Sequence, residues 1–161
     1  MAKKQLTVLV VEDEQDYREI LVGALTSKKF TALQEDNGED GVKTALEKHP
    51  DLILFDLMMP KMDGMTAFKK IREDAWGKDV PVIILTNLSA NTENLVLERA
   101  KLAKEAGLDG VVASVEEAAA IRKALGKDFI IVTPGIRPAG ADKGDQKRVA
   151  TPKVAIESGS N

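Results

Sequence analysis

Three acidic side chains follow two short apolar runs of the chain, an arrangement that can bind a metal ion. Glu12 and Asp13 come after the run Leu6–Val11, and Asp56 comes after the run Leu52–Phe55. Ligands of open parallel sheets bind beyond the carboxyl ends of the strands. If the two runs are neighbouring strands, the carboxylates converge, and a hard divalent cation such as Mg²⁺ would relieve their repulsion. The alternative is that all three are solvated loop residues.

Strand-like and helix-like segments alternate along the chain with short connections. Buried strands are short apolar runs, whereas helices repeat apolar residues every three to four positions. The predicted strands are Leu6–Val11, Phe30–Leu33, Leu52–Phe55, Val80–Leu85, Gly110–Ala113 and Phe129–Val132. The predicted helices are Asp16–Ser27, Glu39–Lys48, Met65–Arg72, Thr92–Ala106 and Val115–Leu125, and a last short helix starts near Thr151. This alternation predicts a parallel α/β fold with right-handed crossovers.

The composition fits one α/β domain and argues against several kinds of function. Of the 161 residues, 43% are hydrophobic and only 4% aromatic, so the core must be mostly aliphatic. The absence of cysteine excludes disulfides, thiolate metal sites and cysteine nucleophiles. The net charge of −3, without a basic block, argues against nucleic-acid binding. The first apolar run is too short for a signal peptide or a membrane span, so a cytoplasmic location without membrane association is predicted.

A resemblance to the response-regulator receiver family is carried by the segments VLVVEDE, DLILFDLMMPKMDGM and VPVIILT, in that order and spacing. It covers about residues 5–90. The resemblance implies a flavodoxin-like, doubly wound parallel sheet of five or six strands. It also implies that a histidine kinase transfers a phosphoryl group to an aspartate with Mg²⁺ as cofactor. Carried over by motif, Asp56 is the phosphoacceptor and Thr86 is the hydroxyl that turns toward the phosphoryl group. Glu12, Asp13 and Asp56 would hold Mg²⁺ together with the backbone carbonyl of Met58.

The end of the fifth predicted strand departs from the receiver pattern. Receivers carry a lysine there, whose ammonium group pairs with the acceptor aspartate and later with the phosphoryl group. The segment Gly110–Ser114 contains no lysine, and the nearest ones, Lys104 and Lys123, fall on predicted helices. The departure predicts that phosphorylation and switching are impaired.

A second resemblance, over about residues 93–158, is to the C-terminal part of orotidine 5′-phosphate decarboxylase. It is carried by the segments LAKEAGLDGVVAS, VTPGIRPAG and GDQKRVATPKVAI. That family is a (β/α)₈ barrel that decarboxylates orotidine monophosphate without a cofactor. The resemblance implies a phosphate-binding role for Gly144, Gln146 and Arg148, with Ser114 at a strand end on the binding face. The Lys-Asp-Lys-x-x-x-Asp constellation of that family is not matched, so we expect no decarboxylase activity and, at most, self-phosphorylation from small phosphodonors.

The two resemblances meet inside one run of strands and helices, without a Gly/Ser/Pro-rich linker between them. We interpret the chain as a deliberately made chimera that forms a single fused α/β domain over residues 1–161. Its receiver-like half spans 1–90 and its barrel-derived, decarboxylase-like half spans 91–161. The alternative fold is a partial (β/α) barrel. An unpaired sixth strand would offer an open edge to a second copy of the chain, and Ser158–Asn161 is expected to fray.

Three functional hypotheses follow from these observations. The first is a receiver-type phosphoacceptor that binds Mg²⁺ and is impaired by the missing lysine, with a histidine kinase as partner of the receiver parent. The second is an engineered fold chimera in which the acidic pocket is a relic. The third is a phosphate or nucleotide binder built from the decarboxylase-like segment. The first two are compatible, and we favour their combination.

Overall fold

The computed structural model of the protein describes residues 5–85, 93–134, 136–137 and 150–161, with the side chains of the fourth helix described from Val96 onward. The chain divides into two compact units, Met1–Leu85 and Thr86–Asn161. Within the described ranges, no helix is both long enough and apolar enough to cross a lipid bilayer.

The first unit contains four parallel strands and three helices. The strands are β1 (Thr7–Val11), β2 (Thr31–Glu35), β3 (Leu52–Asp56) and β4 (Val82–Leu85), and the helices are α1 (Gln15–Ser27), α2 (Gly38–Lys48) and α3 (Gly64–Glu73). The strand order is β2-β1-β3-β4. The chain therefore steps from β1 to one side and returns to the other side with β3. In open parallel sheets, ligands bind at such a reversal, beyond the carboxyl ends of the strands, here those of β1 and β3.

The core of the first unit is aliphatic and surrounds its central strands. The segment Val8–Val11 of β1 is buried throughout, as are residues 53–55 of β3 and all of β4. Successive side chains of a strand point to opposite faces. Continuous burial therefore means that both faces of the sheet are covered, which explains why these segments show no polar alternation.

Side-chain hydrogen bonds set the starts of α2 and α3. Asn37 precedes α2, and its Oδ1 accepts a hydrogen bond from the Asp40 N–H at 3.0 Å. Asp63 precedes α3 and accepts hydrogen bonds from the hydroxyl and the backbone N–H of Thr66, which lower the pKa of the Asp63 carboxyl. The start of α1 differs, because the side chain of its first flanking residue, Glu14, makes no capping hydrogen bond.

The second unit contains two parallel strands and three helices. They are α4 (Glu93–Glu105), β5 (Gly110–Val112), α5 (Val115–Leu125), β6 (Ile130–Val132) and α6 (Pro152–Glu157). β5 pairs with β6. α4 packs against both β5 and α5, and the small side chains of Ala100 and Ala103 are fully buried. The predicted α/β class with six parallel strands is confirmed.

β6 does not present the open edge that the sequence predicts. Its backbone groups at Ile130 and Val132 bond toward β5, so those of Ile131 face the other side. There, the Asn161 N–H donates to the Ile131 carbonyl at 2.9 Å, and Asn161 Oδ1 accepts from the Ile131 N–H at 2.8 Å. Asn161 thus gives Ile131 the hydrogen-bond donor and acceptor that a neighbouring strand would otherwise provide. The predicted fraying of Ser158–Asn161 is wrong, and the edge expected to pair with a second copy is occupied at Ile131.

Arg122, in the last turn of α5, also binds the C-terminal segment Ser158–Asn161. Its guanidinium donates to the Gly159 carbonyl at 2.8 Å and to Asn161 Oδ1 at 2.7 Å. It also donates to the carbonyls of Gly126 and Phe129 in the connection between α5 and β6. One side chain therefore connects α5, the loop before β6 and the C-terminal segment Ser158–Asn161.

Candidate functional site

Three carboxylates converge at the carboxyl ends of β1 and β3. One oxygen of each of Glu12, Asp13 and Asp56 lies within 4.8 Å of the others. β1 and β3 are adjacent and parallel, with Val11 opposite Phe55. The residues that follow Val11 and Phe55 therefore emerge at the same edge of the sheet. The structure brings together the three acids that the sequence places at this edge.

Burial disfavours the ionised form of the carboxyl groups in this cluster. The side chain of Glu12 is 3% exposed and that of Asp56 is 1% exposed, whereas Asp13 is exposed. Burial and, less strongly, the charge of Asp56 raise the pKa of Glu12 from 4.5 to about 7, although a hydrogen bond from the Glu14 N–H opposes the shift. A proton or a cation bound by such a cluster would relieve the repulsion.

The loop after β3 restrains the Asp56 carboxylate. The Met58 N–H lies 3.4 Å from Asp56 Oδ1 and donates a long hydrogen bond to it. The Met58 side chain is exposed, so the residue meets the site through its backbone. The proposed role of its carbonyl as a Mg²⁺ ligand stays a prediction.

Gly64, the first residue of α3, allows the helix to start directly against Asp56. A Cβ atom on Gly64 would overlap the Asp56 carbonyl oxygen and lie 3.2 Å from the Leu57 Cα. Both contacts are to backbone, which cannot turn away as a side chain can. The Gly64 N–H also donates to the Leu57 carbonyl at 3.2 Å. The absence of a side chain at this position therefore sets the distance between α3 and the end of β3.

Replacing Gly64 with Ala should lower the free energy of unfolding by about 1–3 kcal/mol, because overpacking forces backbone shifts of that cost. Urea unfolding followed by the fluorescence of Trp76 measures it. The matched control is Gly23→Ala in α1, where an added Cβ has open space, and there alanine should raise helix stability by about 0.5–1 kcal/mol. Equal effects of the two substitutions would contradict the steric explanation.

Arg18 is a site residue that the sequence analysis does not identify. From the first turns of α1, its Nη1 donates to the Glu12 carbonyl at 2.6 Å and to the Asp13 carbonyl at 3.3 Å. Its acceptors are backbone atoms, which carry no side-chain signal in the sequence. The available signal is weak: an arginine one helical turn into α1, on the side that faces the sheet.

Of the remaining predicted site residues, only Ser114 lies in the part of the chain that the structure describes. Ser114 flanks the start of α5 in the second unit, and its N–H donates to the buried Glu117 carboxylate at 2.9 Å. Its hydroxyl is buried and has no hydrogen-bond partner among the described residues. The other predicted site residues, Thr86, Gly144, Gln146 and Arg148, lie outside the described residues.

A separate groove lies at the opposite, amino-terminal edge of the first unit. It has a volume of about 440 Å³ and is lined by residues that precede β3 and β4, among them His49 and Trp76. These two rings stack with their centroids 4.6 Å apart. The only histidine of the chain therefore lies away from the acidic cluster.

Comparison with solved structures identifies the fold. The chemotaxis response regulator CheY4 of Vibrio cholerae superposes with a TM-score of 0.59 at 23% identity, covering 67% of this chain and 85% of that chain. The receiver domain of sensor histidine kinase PA1611 from Pseudomonas aeruginosa PAO1 gives a TM-score of 0.58 at 24% identity, covering 74% and 96%. The latter structure holds a magnesium ion in its active site cleft. These similarities show the flavodoxin-like receiver fold, rather than the alternative of a partial barrel.

Comparison with curated proteins finds the second resemblance. The chain is 38% identical over 148 residues to the orotidine 5′-phosphate decarboxylase of Actinobacillus pleuropneumoniae serotype 5b (strain L20). The match covers 82% of this chain but 64% of the decarboxylase, so the chain spans less than two thirds of that relative's length. Both resemblances drawn from the sequence are thus confirmed. The response regulator receiver domain model matches residues 8–126, past residue 90 and through β5 and α5, and the chain belongs to the response regulator receiver domain family.

Proposed function

We propose that the protein is a Mg²⁺-dependent phosphoacceptor in which Asp56 takes a phosphoryl group from a histidine kinase or from a small phosphodonor. The observation that carries this proposal is the convergence of Glu12, Asp13 and Asp56 at the carboxyl ends of two adjacent strands. Membership of the receiver family supports the same chemistry, since receivers are phosphorylated by histidine kinases.

The donor set fits Mg²⁺. All three candidate ligand atoms are carboxylate oxygens, the hard ligands that this ion prefers, and the exposed Asp13 leaves one side of the cluster open to water. The raised pKa of Glu12 indicates that, without a cation, the cluster disfavours full ionisation. Glu12, Asp13 and Asp56 would hold the ion, with the Met58 carbonyl as the further ligand that the receiver resemblance implies. The magnesium in the active site cleft of the Pseudomonas receiver domain supports the assignment by analogy.

In the proposed reaction Asp56 acts as a carboxylate nucleophile. One of its oxygens forms a bond to phosphorus while the bond between phosphorus and the leaving group breaks. The electron pair departs with acetate when the donor is acetyl phosphate, and with the imidazole nitrogen when the donor is a kinase phosphohistidine. Mg²⁺, when bound, would neutralise charge on the transferred oxygens. The Met58 N–H restrains the Asp56 carboxylate, and Glu12 and Asp13 would hold the ion.

Two further parts of the proposal concern residues beyond this cluster. Thr86 would donate its hydroxyl to the phosphoryl group, as the resemblance implies. The segment Gly110–Ser114 lacks the receiver lysine, so we expect slower phosphorylation and weaker switching than in receivers that have it. We also propose a cytoplasmic location, where histidine kinases present their phosphoryl groups.

Incubation with acetyl phosphate and Mg²⁺, followed by intact-mass measurement, tests the function. The parent protein should gain the mass of one phosphoryl group, and Asp56→Asn should gain none. Asp63→Asn is the matched control, because it changes an aspartate of the same loop while asparagine can still cap α3. It should be phosphorylated like the parent. An adduct on Asp56→Asn, or no adduct on the folded parent, would contradict the proposal.

We further propose that the chain is an engineered chimera, in which a receiver was joined to a decarboxylase fragment and decarboxylation was lost. The similarity to the Actinobacillus decarboxylase over 82% of this chain favours that origin. The same similarity favours a second candidate function, binding of phosphate or a nucleotide by Ser114, Gly144, Gln146 and Arg148. Stabilisation of the protein by UMP that Gln146→Ala abolishes would support this second function.

A further inference from the structure

Arg18 holds the segment that carries two of the three clustered acids. β1 ends at Val11 and α1 begins at Gln15, so Glu12 and Asp13 lie in a short connection between two elements. The guanidinium of Arg18 reaches back from α1 and donates to the carbonyl oxygens of both acids, at 2.6 and 3.3 Å. The side chain is half-buried, which limits the number of positions it can adopt.

This connection has few other side-chain restraints. Glu14, at the start of α1, makes no capping hydrogen bond through its side chain. The Glu14 N–H instead donates to Glu12 Oε1 at 3.2 Å, which uses part of the carboxylate that a cation would need. Because Arg18 binds the carbonyls, it fixes the backbone of the connection while leaving the carboxylate oxygens of Glu12 and Asp13 available.

We propose that Arg18 is a positioning residue for the cation site: it keeps the carboxylates of Glu12 and Asp13 directed at Asp56, so that all three can bind one divalent ion. This inference rests on the proposed function for the identity of the ion. Groups that orient metal ligands without touching the metal commonly change metal affinity by 10- to 100-fold when they are removed. Arg18 fulfils that role through the backbone.

The direction in which Mg²⁺ affinity changes when Arg18 is replaced distinguishes a positioning role from a purely electrostatic one. Removing a positive charge beside an acidic cluster should tighten cation binding, because the guanidinium no longer repels the cation. Loss of positioning should weaken binding, because the carboxylates no longer converge. Arg18→Met removes the charge and the donors while keeping a long side chain. Arg18→Lys keeps the charge, but its compact ammonium group lacks the planar fork of the guanidinium.

The experiment measures Mg²⁺ binding by calorimetry in the parent, Arg18→Met and Arg18→Lys. Lys28→Met is the matched control, because it removes a positive charge at the far, exposed end of the same helix. We expect Arg18→Met to raise the Kd for Mg²⁺ about 10-fold, Arg18→Lys to raise it less, and Lys28→Met to leave it unchanged. In metal-free protein, amide exchange at Glu14 should be faster in Arg18→Met than in the parent.

Unchanged or tighter Mg²⁺ binding by folded Arg18→Met would overturn the inference, as would a parent protein that binds no Mg²⁺. Circular dichroism verifies folding, and Arg18→Lys keeps the test valid if the methionine variant unfolds. Phosphorylation is scored separately. If Mg²⁺ binds and Arg18→Met weakens it while no phosphoryl adduct forms, the positioning role stands and the proposed function fails. If a phosphoryl adduct forms and Arg18→Met leaves the Kd for Mg²⁺ unchanged, the proposed function stands and the positioning role fails.

Discussion

Replacing Arg122 with Met should lower the free energy of unfolding of the second unit by about 3 kcal/mol. The guanidinium donates to four oxygens, which belong to Gly126, Phe129, Gly159 and Asn161. Hydrogen bonds that involve a charged group contribute about 1.5–3 kcal/mol each when measured singly. Those made by one side chain are not additive, so the total is expected to be well below their sum. Arg122→Lys should be nearly as destabilising, because one ammonium group cannot reach all four acceptors.

Urea unfolding followed by circular dichroism measures this change, with Lys123→Met as the matched control. Lys123 is the next residue of α5, is exposed, and lies in the same last turn, so its loss removes an equal charge from the same end of the helix dipole. Amide exchange at Ile131 gives a local readout, since that N–H donates to Asn161 Oδ1. It should become faster in Arg122→Met and stay unchanged in Lys123→Met. Equal destabilisation by both variants would show that only charge matters.

The positions of most elements can be predicted from the sequence, because burial on both faces of a parallel strand leaves a continuous apolar run. α5 is found at Val115–Leu125, the predicted range, and β1 begins one residue after the predicted start. β2 is the informative exception, since it extends through Gln34 and Glu35 instead of ending at Leu33. An edge strand pairs on one side only, and here it continues with polar residues that the hydrophobic pattern cannot assign to a strand.

Helical periodicity locates α1 but does not predict which of its apolar residues are buried. Tyr17 and Ile20 are 50% and 59% exposed, while Leu21 and Leu25 are half-buried. All four belong to the apolar pattern from which the helix is predicted. A stripe of apolar residues shows that a helix can pack against a sheet. In α1 the apolar stripe is wider than the surface that contacts β1 and β2, so some of its residues stay exposed.

The acidic site can be predicted for the same reason as the strands, whereas its supporting contacts cannot. Glu12 and Asp56 follow apolar runs, and adjacent parallel strands bring the residues after them together. Arg18 and Arg122, by contrast, bind backbone carbonyls, which every residue possesses. The contact between Arg122 and Asn161 also spans 39 positions. No residue type or spacing marks such partners, so only the folded chain reveals them.

Replacing Glu12 with Gln should stabilise the metal-free protein at pH 8 by about 3 kcal/mol and abolish most of its stabilisation by Mg²⁺. The pKa of Glu12 is raised from 4.5 to about 7 by burial and by the charge of Asp56, and each unit of such a shift corresponds to about 1.4 kcal/mol. Below pH 4.5 the carboxyl is protonated in the folded and unfolded states alike. Between pH 4.5 and 7 the unfolded chain releases its proton more readily, so stability falls as the pH rises. Above pH 7 the full cost of the buried charge is present.

Unfolding in urea with a metal chelator, followed by Trp76 fluorescence at pH 5 and pH 8, measures this dependence. The parent should lose stability between the two values, and Glu12→Gln should lose much less, since glutamine has no charge and can still accept the Glu14 N–H. Glu14→Gln is the matched control, because it changes an exposed neighbour and should keep the pH dependence of the parent. If Glu12→Gln is less stable than the parent at pH 8, other groups of the protein must stabilise the ionised Glu12 carboxylate without a cation. The expected result would instead mean that Glu12 is kept at the expense of stability, because its buried charge is needed to bind the ion.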